Sequence, residues 1–228
     1  MNARGRIELA VSASSAEVAV AARDGERSAC ERSRAGRGGD DVVVLAARVI
    51  ERLGARASDI ARVVVDRGPG SYTGLRVALT FARTLAGFQG CALATLTSTE
   101  LLAWQAWHAG DVAHANAITV VLDARRGHDH FARLVLDGGR IRLLDGPRAV
   151  RNEELRALLP GTGDVLADET VRTRLSASSV DGVRLQPLRA IDPAAAFDPR
   201  LCPQSVTPDA LEPLYLLPSY AEDSSAGT

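Results

Sequence analysis

The chain has 228 residues, of which 46% are hydrophobic and 24% charged, so it can bury a core in one domain or in two small ones. All 27 basic residues are arginine, which excludes a Schiff-base lysine, a lysine general base and a Walker-type phosphate-binding lysine. The net charge of -1 argues against a chain that alone forms the main docking surface for RNA, because phosphate contacts supply much of that affinity.

The first third of the chain is predicted to form a β-meander followed by a helix. Three short runs that are apolar or alternate in polarity predict strands, at residues 7–11, 17–21 and 27–32. Asp24 and Gly25 predict the hairpin turn between the last two strands. Asp40 and Asp41 offer an N-cap and a favourable first-turn charge for a helix over residues 42–53.

Strand and helix alternate in the next segment. The predicted elements are a strand at 60–65, a loop at 68–74, a helix at 75–86, a strand at 92–96 and a helix that reaches residue 107. The last helix begins with a capping box made by Thr97 and Glu100. This alternation favours an α/β domain with a partly parallel sheet.

The second half of the chain repeats the pattern of the first. Its predicted elements are strands at 117–122, 131–136 and 140–144, a helix at 153–159 and a strand at 165–167, and residues 222–228 are expected to be disordered. Ser12 and Asp123 are offset by 111 residues, and Asp24 and Asp137 by 113. Either two hairpin-rich segments agree by coincidence, or the chain holds a duplicated unit with two α/β lobes, at residues 1–108 and 109–228. Duplication would give the ribonuclease H-like architecture of the actin-like ATPase and sugar-kinase (ASKHA) superfamily.

A glycine-rich loop follows the strand at 60–65 and leads into a helix. Its glycines allow close approach of another chain or a ligand, and its free N–H groups could hold an anion or a nucleotide phosphate. The candidate residues are Gly68, Gly70, Ser71, Thr73 and Gly74. The alternative is a tight turn without a ligand, since the spacing matches neither a Walker loop nor the dinucleotide-binding pattern.

The helix after this loop has an apolar stripe that predicts a core face. Arg76, Thr80 and Arg83 lie on another face, which is either solvated or a partner surface.

Three motifs together resemble one family. The run GPGSYTGLRV at residues 68–77 is similar to the signature of the TsaB family, also called YeaZ. LDARRG at 122–127 resembles the second motif of that family, with Asp123, Arg125 and Arg126 as its polar residues, and EPLYL at 212–216 resembles its C-terminal motif.

The resemblance implies a duplicated actin-like fold with a degenerate nucleotide site and no catalytic residue in this chain. It implies a heterodimer with the catalytic subunit TsaD, through helices at about residues 41–53 and 73–86. The implied partner-binding residues are Asp41, Leu45, Arg48, Arg76, Thr80 and Arg83.

The implied role is in transfer of threonylcarbamoyl to adenosine 37 of tRNAs that read ANN codons, together with TsaD and the small ATPase TsaE. The chemistry and the metal would belong to TsaD, and tRNA would be contacted only through the complex. The resemblance leaves open whether ATP or ADP binds at the subunit interface.

The chain departs from the family pattern at several places, which include the run before the first long helix at residues 38–41 and Leu217 in place of a closing arginine. Residues 11–15 read VSASS instead of the usual IDTST, so the carboxylate that lies near the phosphates in active members of the superfamily is absent. His128, Asp129 and His130 replace the family's Glu-Val-Tyr. Independent ATP turnover is therefore not expected, although a nucleotide-dependent kinase or ATPase is the alternative function. A further alternative is a homodimer that pairs through the same two helices.

Other kinds of site have weaker support. His128 and His130 would share one face of a strand, but no third ligand completes a metal site. Ser71 lacks the spacing and partners of a hydrolase nucleophile. Three scattered cysteines predict neither a zinc site nor disulfides. No signal pattern or membrane-spanning run is found, so a cytoplasmic protein is expected.

Overall fold

The computed structural model describes residues 6–34, 40–112, 117–159, 163–177 and 182–217, which form two mixed sheets. The first sheet consists of β1 Ile7–Ser12, β2 Glu17–Asp24, β3 Arg27–Arg34, β4 Ile60–Asp66, β5 Ala92–Leu96 and β11 Gln204–Ser205. The second consists of β6 Ile118–Arg125, β7 His128–Asp137, β8 Arg140–Arg151, β9 Gly163–Ala167 and β10 Val183–Pro187. The helices are α1 Asp40–Arg52, α2 Tyr72–Gln89, α3 Ser98–Ala109, α4 Asn152–Leu158 and α5 Glu169–Ser176, with 3-10 helices at Ala57–Asp59, Pro193–Phe197 and Pro208–Ala210.

The two sheets repeat one topology. The strand order is β11-β5-β4-β1-β2-β3 in the first and β10-β9-β6-β7-β8 in the second, so the orders correspond once β11 is set aside. In each sheet the first strand pairs antiparallel with the second and parallel with the strand that follows the meander. The predicted duplicated α/β fold is confirmed, and the similarity of the two halves is not a coincidence.

Alternation along the central strands divides the apolar side chains between two layers. Val63 and Val65 of β4 face the layer formed by α1 and α2, whereas Val64 faces α3. The helix α3 is buried on most sides because it lies between the two sheets, where Trp107 packs in the same cluster as Ile118 of β6. The helices α4 and α5 cover the outer face of the second sheet.

The last described part of the chain returns to the first lobe. The 3-10 helix Pro193–Phe197 packs on β1 and β2, β11 pairs antiparallel with β5, and Leu211 is buried in the core beneath α1 and α2. The first lobe therefore consists of more than the predicted residues 1–108. The tail predicted to be disordered, at 222–228, lies outside the described residues.

Within the described ranges, none of the helices has the length and apolar character needed to cross a membrane.

Candidate functional site

The candidate site lies at the edge of the first sheet where β1 and β4 end. Parallel neighbouring strands bring their carboxyl ends to the same edge, so the turn after Ser12 and the loop after Asp66 meet there. The first turn of α3 joins them, because Ser98 donates to the carbonyl oxygen of Pro69 at 2.8 Å.

Asp66, the last residue of β4, is buried at the centre of this edge. Its Oδ2 accepts hydrogen bonds from the hydroxyls of Ser12 (2.7 Å) and Ser14 (2.6 Å). Its Oδ1 accepts from the Ser98 hydroxyl (2.8 Å) and the Gly68 N–H (2.9 Å). One carboxylate thus holds together three segments that are distant in sequence.

Opposing effects act on the ionisation of this carboxylate. Burial raises the pKa of Asp66, and the hydrogen bonds from Ser14, Gly68, Ser12 and Ser98 oppose that shift because they favour the charged form. Both carboxylate oxygens are occupied by protein donors. Since β1 ends in Ser12 and not in a second carboxylate, this arrangement does not favour metal-assisted phosphate chemistry.

The glycine-rich loop packs directly on the turn after β1. A Cβ added to Gly70 would lie 2.1 Å from the carbonyl oxygen of Ser14, and one added to Gly74 would lie 1.9 Å from that of Ala13. The Ser71 N–H donates to the same Ser14 oxygen at 2.7 Å. These glycines are therefore required by the close approach of two backbone segments.

The loop also starts α2. Ser71 is the N-cap, and its hydroxyl accepts from the Gly74 N–H at 3.2 Å. The N–H groups of Gly68, Ser71 and Gly74 thus have acceptors within the protein, and the Thr73 side chain is exposed. Anion binding by this loop stays a prediction, and these three N–H groups do not favour it.

The C-terminal motif packs against the glycine loop and α2. The Leu214 N–H donates to the carbonyl oxygen of Arg67 at 2.7 Å. The Arg83 guanidinium donates to the carbonyl oxygen of Leu211. The Tyr215 ring stacks on Tyr72 of α2 with centroids 4.6 Å apart. Two motifs that are far apart in the sequence therefore form one surface.

The residues predicted to bind a partner occupy different environments. Arg48, Arg76 and Thr80 are exposed on α1 and α2. Leu45 is only 2% exposed and belongs to the core, because the register of α1 turns it toward the sheet. Its assignment as a surface contact is therefore corrected. The side chain of Asp41 lies outside what the structure describes.

Sequence reasoning missed the apolar part of this surface. Val43 and Val44 of α1 and Phe88 of α2 are exposed, Phe88 to 89%. The three consecutive valines at 42–44 could have predicted exposed apolar area on α1, because one helical face cannot bury all of them.

The second-lobe motif lies at the corresponding end of β6, in the other sheet. The Asp123 N–H donates to Oδ2 of Asp168 at 2.5 Å, and Oδ1 of Asp123 accepts from the Arg125 N–H at 3.2 Å. Arg125 and Arg126 form the hairpin turn with φ values of 65° and 51°, and both side chains are exposed.

His128 and His130 follow this turn on β7. The Nδ1 of His128 lies 3.0 Å from the carbonyl oxygen of Arg126, and His130 is buried. Burial lowers the pKa of His130 to about 4, so its imidazole is neutral near pH 7. Across the described ranges, no three histidine, cysteine, aspartate or glutamate side chains are grouped so that they could hold a metal ion.

Comparison with known proteins identifies related sequences and folds. A family model described as TsaD, tRNA N6-adenosine threonylcarbamoyltransferase, matches residues 40–202. The tRNA threonylcarbamoyladenosine biosynthesis protein TsaB of Bacillus subtilis (strain 168) is 39% identical over 69 residues, which are 30% of this chain and 28% of that protein. The aligned region thus spans less than a third of that relative.

Two solved structures share the fold over most of the chain. One is an uncharacterized protein from Pseudomonas aeruginosa with similarity to peptidase YeaZ, with a TM-score of 0.78 and 18% identity over 92% of this chain and 99% of that one. The other is YeaZ from Pseudomonas aeruginosa, with a TM-score of 0.74 and 19% identity over the same shares.

Proposed function

Because the chain belongs to the family described as TsaD, tRNA N6-adenosine threonylcarbamoyltransferase, and is similar to TsaB and YeaZ proteins, we propose that it is the non-catalytic partner subunit in the formation of N6-threonylcarbamoyladenosine at position 37 of tRNAs that read ANN codons. In this role it pairs with TsaD, which supplies the catalytic groups, and works with TsaE. It contacts tRNA only within the complex.

The exposed surface of α1 and α2 is the observation that carries this proposal. Val43, Val44 and Phe88 present apolar area to solvent, and Val77 and Phe81 of α2 are only partly buried against the core. A pair of amphipathic helices with unburied apolar side chains is typical of a protein interface.

The hydrogen bonds that Asp66 accepts favour a non-catalytic role for this subunit. Its two oxygens accept four hydrogen bonds from the protein. A buried carboxylate bound in this way can neither hold a metal ion nor act as a general base without breaking its own site. The alternative function, a nucleotide-dependent kinase or ATPase, is therefore less favoured by the geometry around Asp66.

Co-purification with TsaD of the same organism, with mass spectrometry of tRNA from a depleted strain, tests the proposal. We expect a stable complex and loss of threonylcarbamoyladenosine on depletion. Absence of a complex together with intact modification would contradict it.

Two matched variants locate the interface. Val44→Asp puts a charge on the exposed face of α1 and should weaken the complex by roughly 30-fold or more. Leu144→Asp makes the same change on the exposed face of β8 in the second lobe and should leave the affinity unchanged. Equal effects of the two variants would place the interface elsewhere. Adding ATP or ADP to the same titration shows whether a nucleotide strengthens the pairing.

A further inference from the structure

Two tyrosines and an arginine form a compact exposed cluster where α2 meets the C-terminal motif. Tyr72 is 45% exposed and Tyr215 is 40% exposed, although their rings stack on each other at an interplanar angle of 23°. The guanidinium of Arg76 lies 5.5 Å from the Tyr72 ring centroid and donates to the Tyr72 hydroxyl at 3.1 Å. We call these three residues the Tyr–Arg cluster.

The backbone under the Tyr–Arg cluster is fixed by buried contacts. Leu211 anchors the C-terminal segment in the core, and Arg83 binds its carbonyl oxygen. Leu214 is tied to Arg67, and Ser71 caps the helix that carries Tyr72. A preformed arrangement loses little conformational entropy when it binds a partner.

Within the part of the chain that the structure describes, no carboxylate forms an ion pair with Arg76. No aspartate or glutamate occurs in α2, and none of the ion pairs among the described residues includes Arg76. Arginines of the second lobe differ in this respect, since Arg184 pairs with Asp164 at 2.7 Å and Arg174 with Asp129 at 2.5 Å. The cluster thus combines an uncompensated positive charge with aromatic area.

We propose that the Tyr–Arg cluster binds an acidic side chain of the partner subunit, which makes the C-terminal segment part of the partner surface. This inference rests on the function proposed above. A carboxylate of the partner pairs with the planar guanidinium of Arg76 through charge-assisted hydrogen bonds. The methylene groups of the same acidic side chain cover the Tyr215 ring. Tyrosine and arginine are the residue types that most often dominate the binding energy of an interface.

A protein suits this surface better than RNA does. Phosphate recognition needs several basic residues along a backbone track, whereas α2 combines Arg76 with the partly buried Val77 and Phe81 and the exposed Phe88. The helix has two arginines, Arg76 and Arg83, and the guanidinium of Arg83 is bound to the carbonyl oxygen of Leu211. Apolar area beside so few charges is typical of the core and rim of a protein interface.

Calorimetric titration of TsaD into wild-type protein, Tyr215→Ala and Arg76→Gln tests this inference. We expect each variant to bind roughly 30-fold more weakly. Arg76→Gln should also reduce the dependence of the affinity on salt concentration, because it removes the charge that attracts the carboxylate. Arg76→Gln leaves the contacts of Leu211 and Leu214 intact, so it stays informative even if Tyr215→Ala loosens the C-terminal segment.

Arg142→Gln on β8 is the control, since that arginine is exposed on the other lobe and should bind TsaD as the wild type does. If the wild type binds and both variants stay within about twofold of it, the inference is wrong and the proposed function stands. If the wild type does not bind, the proposed function itself fails. If the variants instead lose affinity for tRNA alone, the cluster is an RNA site and the inference is overturned.

Discussion

Asp66 at the end of β4 and Asp168 just after β9 occupy corresponding places in the two sheets, but they do different work. Asp66 is 1% exposed and joins the turn after β1, the glycine loop and α3. Asp168 is half-buried, caps α5 through the Val171 N–H and accepts the N–H of Asp123. An aspartate at this position of the fold thus joins three segments in the first lobe, whereas in the second lobe it mainly caps a helix.

The helices before and after these two strands also differ between the lobes. In the first lobe α1 and α2 have 13 and 18 residues and leave apolar side chains exposed. In the second lobe α4 and α5 have 7 and 8 residues, and Arg172 and Arg174 of α5 are engaged by carboxylates. The duplicated units have therefore diverged, with the candidate partner surface on the first.

Replacing the two aspartates should give the largest difference between the lobes in the free energy of unfolding. Asp66→Ala leaves the Ser12 and Ser14 hydroxyls and the Gly68 N–H without their carboxylate acceptor, whereas Ser98 keeps the carbonyl oxygen of Pro69, so the free energy of unfolding should fall by about 4 kcal/mol. Asp168→Ala removes a helix cap and should cost about 1 kcal/mol. Urea denaturation followed by circular dichroism measures both. Equal losses would show that Asp66 has no special structural role.

The second lobe should carry the sensitivity to acid that comes from a buried histidine. Burial lowers the pKa of His130 to about 4, so the unfolded chain binds a proton that the folded chain does not. Its contribution is complete above the unfolded pKa of about 6.5 and is lost as the pH falls, by on the order of 3 kcal/mol at pH 4.

His130→Phe should remove this loss. The difference in unfolding free energy between wild type and variant reports on the histidine, because the two proteins have the same carboxyl groups. Parallel stability curves for the two proteins from pH 7 to pH 4 would contradict the prediction.

Two glycines of the first lobe should respond in opposite directions. Gly70→Ala drives a Cβ into the Ser14 carbonyl oxygen and should cost about 2 kcal/mol. Gly87 lies within α2 and has nothing within 4 Å of an added Cβ, so Gly87→Ala should stabilise the protein by about 0.7 kcal/mol. Thermal denaturation gives both signs. A neutral Gly70→Ala would mean that the loop is not held by the turn after β1.

Local signals in the sequence predicted the elements whose ends are set locally. The capping box at Thr97 and Glu100 is confirmed, with Thr97 accepting from the Glu100 N–H at 3.2 Å and its own N–H donating to the Glu100 carboxylate at 2.7 Å. The hairpin turn predicted from Asp24 and Gly25 is also confirmed, and Gly25 has a positive φ of 61°.

Features set by distant parts of the chain were not predicted. β8 was expected to end at residue 144, but it continues to Arg151 because pairing with β7 resumes beyond an irregularity. β11 has two residues and exists through its pairing with β5. The role of Asp66 depends on Ser12, Ser14 and Ser98, and no local pattern joins these positions. α5 could have been found, since Asp168 is a suitable cap and Val171 and Leu175 share one helical face.

The return of the chain end to the first lobe has a consequence for biosynthesis. Leu211, which is 1% exposed, completes the core beneath α1 and α2, and β11 closes the edge of the first sheet. Domains usually fold from the N-terminus during translation, but here the segment that completes the first lobe is synthesised only after the strands and helices of the second lobe. A chain that stops before the C-terminal motif would lack Tyr215 and its part of the composite surface. The partner would thus find its full binding surface only on chains in which the segment around Tyr215 has been synthesised.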